Sequence, residues 1–192
     1  MAASPSATNP PYRFGTADLE CRYPVIVANS HLGLIFRWHG SWFAQPADQE
    51  HEIRVGSGST GKHAAAMHLV TEFTAGRLNA KPVVESGPTE FHPPIGPVEL
   101  LHPRMPSSNA EQARRVMALL DTFLWRPLSG YPGSDNPWFL QCQLCGWAGP
   151  RYWSHLRGRN GKPPKPSRHP GGCVGAEKVR ARIPAYTKAA AQ

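Results

Sequence analysis

The sequence predicts an α+β protein: a small antiparallel sheet with a covering helix, then a further helix and a C-terminal zinc-finger-like module. Three observations lead to this fold class. Short strand-like segments separated by turns fill the first third of the chain, two segments have helical apolar spacing, and a Cys-x-x-Cys pair is followed by further His and Cys residues. No run of apolar residues approaches the ~18 that a membrane helix needs, and no secretory signal pattern begins the chain, so a cytoplasmic protein is expected.

The N-terminal part of the sequence has the pattern of a hairpin-rich sheet. Residues 1–19 are predicted to be a disordered N-terminus, and residues 20–80 a sheet-plus-helix unit with strands at 23–27, 32–38, 42–44 and 52–55. A helix capped by Ser59 or Thr60 is expected to run to about residue 75 and end before Gly76. Its apolar face would be formed by Ala66, Leu69, Val70 and Phe73. This outline resembles the arm-type DNA-binding domains of phage integrases.

The middle of the chain is dominated by proline and then by one clear helix. Residues 82–106 contain seven prolines, which fix φ and exclude a helix, so 81–106 is predicted to be a linker. Ser108 and Glu111 have the spacing of a capping box, and Pro127 closes the helix that follows. Its apolar stripe consists of Val116, Leu119, Leu120, Phe123 and Leu124. The helix and a zinc-binding module are assigned to 107–180, and a basic, alanine-rich tail to 181–192.

The clustered cysteines indicate a metal site. Cys142 and Cys145 can present two thiolates to one ion, and Cys173 is a third candidate ligand. His155 and His169 compete for the fourth place. We favour His155, because residues 150–158 could form a helix that turns it toward the cysteines. Four Cys and His ligands in a closed shell are typical of structural zinc, and residues 138–192 hold a single acidic residue that could serve catalysis.

Part of this segment resembles the prokaryotic zinc fingers of the Ros/MucR type, which are bacterial DNA-binding regulators. The match consists of Cys142, Cys145 and, after nine residues, His155, with Tyr152 where those fingers place an apolar core residue. It covers about 20 of 192 residues, and the second nearby His of those fingers has no counterpart here. The resemblance implies zinc binding and a DNA-binding role.

The charge of the chain is concentrated in the same segment. The net charge is +8, and residues 138–192 alone carry ten basic groups and one acidic group. Such a density of positive charge favours contact with phosphates. The candidate contacts are Arg151, Arg157, Arg159, Lys162, Lys165 and Arg168. The sequence therefore predicts a zinc-containing, nucleic-acid-binding protein, with DNA favoured as its partner and a regulatory or mobile-element accessory role. The composition, with Arg exceeding Lys 15 to 6, suggests a bacterial source. A zinc-stabilised protein-interaction module is the alternative.

One further motif points to a different function. The residues Gly56, Gly58, Gly61 and Lys62 fit both dinucleotide-binding and P-loop patterns, between a predicted strand and a predicted helix. His63 stands where a P-loop has a Ser or Thr that binds magnesium. A nucleotide-binding enzyme is thus the second alternative, and a glycine-rich turn explains the same residues without a ligand. No catalytic triad or carboxylate pair stands out, so a binding protein is expected rather than an enzyme.

Overall fold

The structure, a computed structural model, describes residues 11–83, 96–158 and 162–187. The described residues divide into two compact units. The first, called here the sheet unit, comprises residues 11–16, 22–36 and 41–83. The second, the cysteine unit, comprises residues 17–21, 37–40, 96–158 and 162–187. Along the chain, the main division falls inside the predicted proline-rich linker.

The sheet unit consists of a six-stranded antiparallel sheet and one long helix. Its strands follow the chain in spatial order from β1 to β5, and β6 pairs with the start of β3. The elements are β1 (Arg13–Phe14), β2 (Tyr23–Val27), β3 (Ser30–Trp38), β4 (Ser41–Pro46), β5 (Ile53–Ser57), α1 (Gly61–Thr74) and β6 (Lys81–Pro82). The predicted sheet with a covering helix is confirmed.

Small side chains allow α1 to lie close to the sheet. Ala65, Ala66 and Leu69 are buried in the helix face that packs on the strands. Val25 and Leu32 are fully buried on the sheet side of the same core. Burying a Val or Leu side chain is worth about 1.5–3 kcal/mol, so this layer stabilises the unit.

Residues 11–19 are more ordered than expected. Residues 1–10 of the segment predicted to be disordered lie outside the described residues. Within its remainder, β1 pairs with β2, and Tyr12 is buried in the core of the sheet unit. The hydroxyl of Tyr12 lies 2.6 Å from Nδ1 of His63. These contacts tie the segment to the sheet and to the start of α1.

The cysteine unit combines short helices with a three-stranded antiparallel sheet in the order β7-β8-β9. Its elements are a 3₁₀ turn (Ser107–Asn109), α2 (Ala110–Thr122), β7 (Trp125–Pro127), β8 (Pro137–Cys142), β9 (Ala148–Tyr152), α3 (Trp153–Leu156), α4 (Ala176–Arg182) and a final 3₁₀ turn (Pro184–Tyr186). The sequence predicted α2 but not the sheet. The structure also has a strand and one helical turn where a helix over 150–158 was expected.

The core of the cysteine unit contains residues from α2 and from the last 3₁₀ turn and the residue before it. Val116 and Leu120 of α2 are buried as predicted, whereas Leu119 is 47% exposed. Ile183 and Tyr186 are buried in the same cluster. Two residues of the predicted basic tail therefore belong to the core, and residues 188–192 lie outside the described residues.

Within residues 11–83, 96–158 and 162–187, no helix has both the length and the hydrophobicity to cross a bilayer.

Candidate metal centre

The first two candidate ligands lie on a tight turn between β8 and β9. Cys142 is the last residue of β8, and its carbonyl accepts a hydrogen bond of 2.9 Å from the Gly146 amide. The Cys142 amide donates to the Trp147 carbonyl at 2.7 Å, which closes the turn. Gly146 has φ of +78°, a conformation that a residue with a side chain adopts only with strain. The Cys-x-x-Cys-Gly pattern thus fixes both thiols on one side of a hairpin.

The other two candidate ligands come from a second tight turn between α3 and α4. The Gly172 amide donates to the His169 carbonyl at 3.1 Å. Gly171 and Gly172 both have positive φ, at +78° and +82°. This geometry reverses the chain between His169 and Cys173, so that both side chains point toward the thiols of Cys142 and Cys145.

The two turns bring four potential metal ligands together. One atom each from Cys142, Cys145, His169 and Cys173 lies within 4.8 Å of every other. The Sγ atom of Cys173 is 3.7 Å from Sγ of Cys142 and 3.7 Å from Sγ of Cys145. Disulfide sulfurs are about 2.05 Å apart, so these cysteines are not bonded to each other. The cluster could hold a metal ion.

The orientation of His169 is set by its neighbours. Its Nδ1 lies 3.0 Å from the carbonyl oxygen of Pro170, which can only accept, so Nδ1 carries the proton. In the neutral ring Nε2 then has the lone pair that can bind a metal, and Nε2 lies 3.1 Å from Sγ of Cys145. The imidazole stacks on the Trp147 ring with 4.7 Å between centroids and 2° between planes. A hydrogen bond on the far nitrogen is the usual device that orients a metal-binding histidine.

Arg168 is buried directly beside the cluster. It is 1% exposed, and its Nε donates to Sγ of Cys142 at 3.4 Å. Its terminal nitrogens donate to the carbonyls of Phe123 and Leu124, each at 2.8 Å. Those carbonyls belong to the two residues that follow α2, where helical partners run out. The guanidinium therefore joins the end of α2 to the thiol cluster.

The cysteines differ in acidity because their surroundings differ. Burial raises the pKa of Cys142, but the Leu144 amide and the Arg168 guanidinium outweigh it, and the pKa lies below the ordinary thiol value. Burial and the neighbouring cysteines raise the pKa of Cys173 to about 11. Cys21 lies elsewhere in the unit, buried against Leu128 and Phe139, as its isolated position in the sequence suggested.

His155 is not part of the cluster, and the preference for it over His169 was wrong. Residues 148–152 pair with β8 as a strand, so the helix that was to carry His155 back to the cysteines is reduced to α3. The His155 ring is exposed and lies against the Tyr152 ring, 5.1 Å between centroids. His169, the predicted alternative, occupies the fourth position.

The residues predicted to contact phosphates fall into four groups. Arg157, Lys162 and Lys165 are exposed, as such a role requires. Arg151 is half-buried in a cavity. Arg168 is buried with its donors occupied, so the prediction that it contacts phosphate was wrong. Arg159 lies outside the described residues. Three further exposed cations that were not predicted as contacts lie on α4, namely Lys178, Arg180 and Arg182.

The glycine-rich loop has a structural explanation. Lys62 Nζ lies 3.7 Å from the Tyr23 ring centroid and 4.2 Å from that of Phe14, so its charge faces aromatic rings. A Cβ on Gly61 would lie 2.3 Å from the Trp42 side chain. Close helix packing therefore accounts for Gly61, and the position of Lys62 gives no support to the predicted phosphate-binding loop.

Comparisons with known proteins add no relative. No protein-family model, curated protein or solved structure matches this chain. The resemblance to Ros/MucR-type fingers therefore stays a prediction. His155, which the resemblance made a ligand, lies outside the cysteine cluster.

Proposed function

We propose that the cysteine unit is a zinc-stabilised module that binds nucleic acid, with DNA as the favoured partner. The observation that carries the proposal is a four-ligand Cys and His cluster within a segment, residues 138–192, that has ten basic residues and one acidic residue. A regulatory or accessory role in a bacterial cell fits such a module.

The donor set and its spacing support zinc as the metal. Three thiolates and one imidazole form a common closed shell for structural zinc. With Zn–S bonds of about 2.3 Å, two ligands at a tetrahedral angle have sulfurs about 3.8 Å apart. The two measured sulfur pairs, at 3.7 Å each, agree with that value. The 3.1 Å between Cys145 Sγ and His169 Nε2 is about 0.5 Å shorter than the corresponding S–N separation, a difference that a small side-chain rotation covers.

The cluster's electrostatics also favour zinc. Three thiolates around a divalent ion leave one net negative charge in a partly buried site. Arg168, buried and hydrogen-bonded to Cys142, supplies the compensating positive charge. Because the four protein ligands would fill the tetrahedral shell that zinc prefers, we assign the metal a structural role.

The basic surface supports nucleic acid as the partner. Exposed cations occur on both sides of the His169–Cys173 turn: Arg157, Lys162 and Lys165 before it, and the three basic residues of α4 after it. Glu177 is the single acidic residue among residues 138–192. Anchoring both flanking segments through the metal would hold these cations in fixed positions relative to one another.

The salt dependence of DNA binding tests this proposal. Binding of a labelled duplex is followed by fluorescence anisotropy at several NaCl concentrations. Three phosphate contacts predict a slope of log K against log [salt] of about −2.7, and six predict about −5.4. A chelator should abolish binding, and added zinc should restore it. Affinity that does not change with salt, or no binding at low salt, would contradict the proposal.

Matched charge variants locate the binding surface. Replacing Arg157, Lys162 and Lys165 together by Gln should reduce the magnitude of the slope by about 2.7. The control replaces Arg13, Arg54 and Arg77, which are exposed on the sheet unit, by Gln. Both variants lose the same net charge. Equal losses in both would show that the cysteine unit is not the binding surface.

A further inference from the structure

The cysteine unit contains a basic cavity next to the metal centre. Its volume is about 460 Å³, within the ~300–1,000 Å³ range of small-molecule sites. Its polar lining consists of Arg151, His155, Lys162, Lys165, Arg168 and Tyr186, and none of the described residues that line it is acidic. Leu156, Pro163 and Pro164 supply apolar wall. An anion that also carries an organic group matches this mixture.

Arg151 lines this cavity and has a buried nitrogen without a hydrogen-bond partner. Its Nε is buried without a hydrogen bond, and the structure gives it no ion pair within the described residues. Buried polar groups in proteins are nearly always satisfied, and leaving one unsatisfied is costly. Burial lowers the pKa of Arg151, and the nearby positive charge of Arg168 lowers it further. The cavity therefore holds more positive charge than its described side chains neutralise.

Tyr186 adds a donor to the cavity. Its hydroxyl oxygen lies 3.4 Å from a terminal nitrogen of Arg168. A guanidinium can only donate, so the tyrosine oxygen accepts, and its own O–H is free to donate to a ligand. Lys162 and Lys165 are exposed at the same cavity and bring two more charges.

We propose that this cavity binds a phosphate monoester, with Arg151, Lys162, Lys165 and the Tyr186 hydroxyl as its partners. A bare phosphate ion would leave much of the volume empty, whereas a nucleotide would also meet the apolar wall. Arg151 is half-buried and lines the cavity, so a phosphate that binds it has to reach into the cavity, as the phosphate at a chain end can. The 5′-phosphate of a nucleic acid is one source, and this part of the inference rests on the proposed function. A free nucleoside monophosphate is the other source.

Three probes distinguish the sources and test the site: a short single-stranded oligonucleotide with a 5′-phosphate, the same oligonucleotide with a 5′-hydroxyl, and AMP. The full chain, loaded with zinc, should bind the phosphorylated oligonucleotide about tenfold more tightly than the hydroxyl form, because charge-assisted hydrogen bonds are the strong ones. AMP should compete for the phosphorylated form. Equal affinity for the two oligonucleotides, without competition by AMP, would overturn the cavity proposal and leave nucleic-acid binding intact.

Variants connect the preference to the cavity. Arg151→Met should reduce the affinity ratio between the two oligonucleotides to about one. Arg157→Met is the matched control, since Arg157 is exposed and does not line the cavity; it should weaken both oligonucleotides and keep the ratio. Lys165→Met, at an exposed position, should reduce the ratio about two- to fivefold and carries the test if Arg151→Met does not fold. A ratio unchanged in Arg151→Met and Lys165→Met would overturn the site. If neither oligonucleotide binds but AMP binds through Arg151, the cavity stands and the proposed function fails.

Discussion

Replacing Arg168 by Met should destabilise the cysteine unit far more than the same replacement of an exposed arginine in this basic segment. The substitution keeps an apolar stem of similar length and removes the guanidinium. The change removes the donor to the Phe123 carbonyl and the donor to Cys142, whereas the Leu124 carbonyl keeps a hydrogen bond of 3.0 Å from the Gln143 amide. Each unsatisfied buried group costs about 1–3 kcal/mol, and breaking a buried charged pair costs about 3–5 kcal/mol.

These contributions overlap, so we expect the free energy of unfolding to fall by about 3–5 kcal/mol. That is a large part of the ~5–15 kcal/mol that holds a typical domain together. Arg168→Lys keeps the charge but not the planar fork of donors, so it should recover only part of the loss. Arg157→Met removes an exposed guanidinium and should change stability by less than about 0.5 kcal/mol.

Urea denaturation followed by tryptophan fluorescence measures these differences. Five of the six tryptophans lie in the cysteine unit, so the signal reports mainly on it. The measurement is made with zinc present in every sample. A loss below about 1 kcal/mol for Arg168→Met, or a loss equal to that of Arg157→Met, would refute the reasoning.

Three further predictions concern acidity, thiol reactivity and packing. Metal affinity should fall at least about tenfold for each unit of pH below 8, because the Cys173 pKa of about 11 means that metal binding displaces a proton from the thiol. Equilibrium dialysis that shows the same affinity from pH 8 to pH 6 would contradict this. After the metal is removed by a chelator under native conditions, iodoacetamide should label Cys145 first and Cys21 not at all. Cys21 is 1% exposed, and burial raises its pKa. Mass spectrometry that finds Cys21 labelled in folded protein would refute its burial. Gly61→Ala should destabilise the sheet unit by about 1–3 kcal/mol, because the added carbon would clash with Trp42. Gly56→Ala should have little effect, because its added carbon would lie 3.5 Å from the nearest atom. Equal shifts of the two variants in thermal unfolding would contradict the packing argument.

The sheet unit could be predicted because its signals are local. The strands around the His39–Gly40 turn and the helix after Thr60 are specified by neighbouring residues, and the structure places them within a few positions. The prediction of disorder was wrong for Tyr12, which is buried in the core of the sheet unit. Its partners are distant in the sequence, and composition does not reveal them.

The metal centre could be predicted in part. Cys142, Cys145 and Cys173 were identified because cysteine spacing restricts the possible geometries. The choice of His155 failed because it assumed a helix over 150–158. In the structure the turn at Gly146 starts a hairpin, and Arg151 pairs with Trp138 across it, so strand pairing displaces the helix. Hydrogen bonds between distant segments decided the outcome, and a local pattern does not contain them.

Arg168 shows a second limit of sequence reasoning. In a run of exposed basic residues, nothing in the sequence separates it from Lys165 or Arg157. Its burial depends on two carbonyls from the end of α2 and one thiol from β8, which are brought together by the fold. A buried arginine needs such partners, and they are far away along the chain.

We propose that zinc bound by Cys142, Cys145, His169 and Cys173 stabilises the cysteine unit. The metal content of the purified chain is the decisive measurement, with His169→Ala and His155→Ala beside the wild type. We expect one zinc per chain in the wild type and in His155→Ala, and loss of zinc in His169→Ala. Zinc retained in His169→Ala but lost in His155→Ala, or no zinc in the wild type, would contradict it.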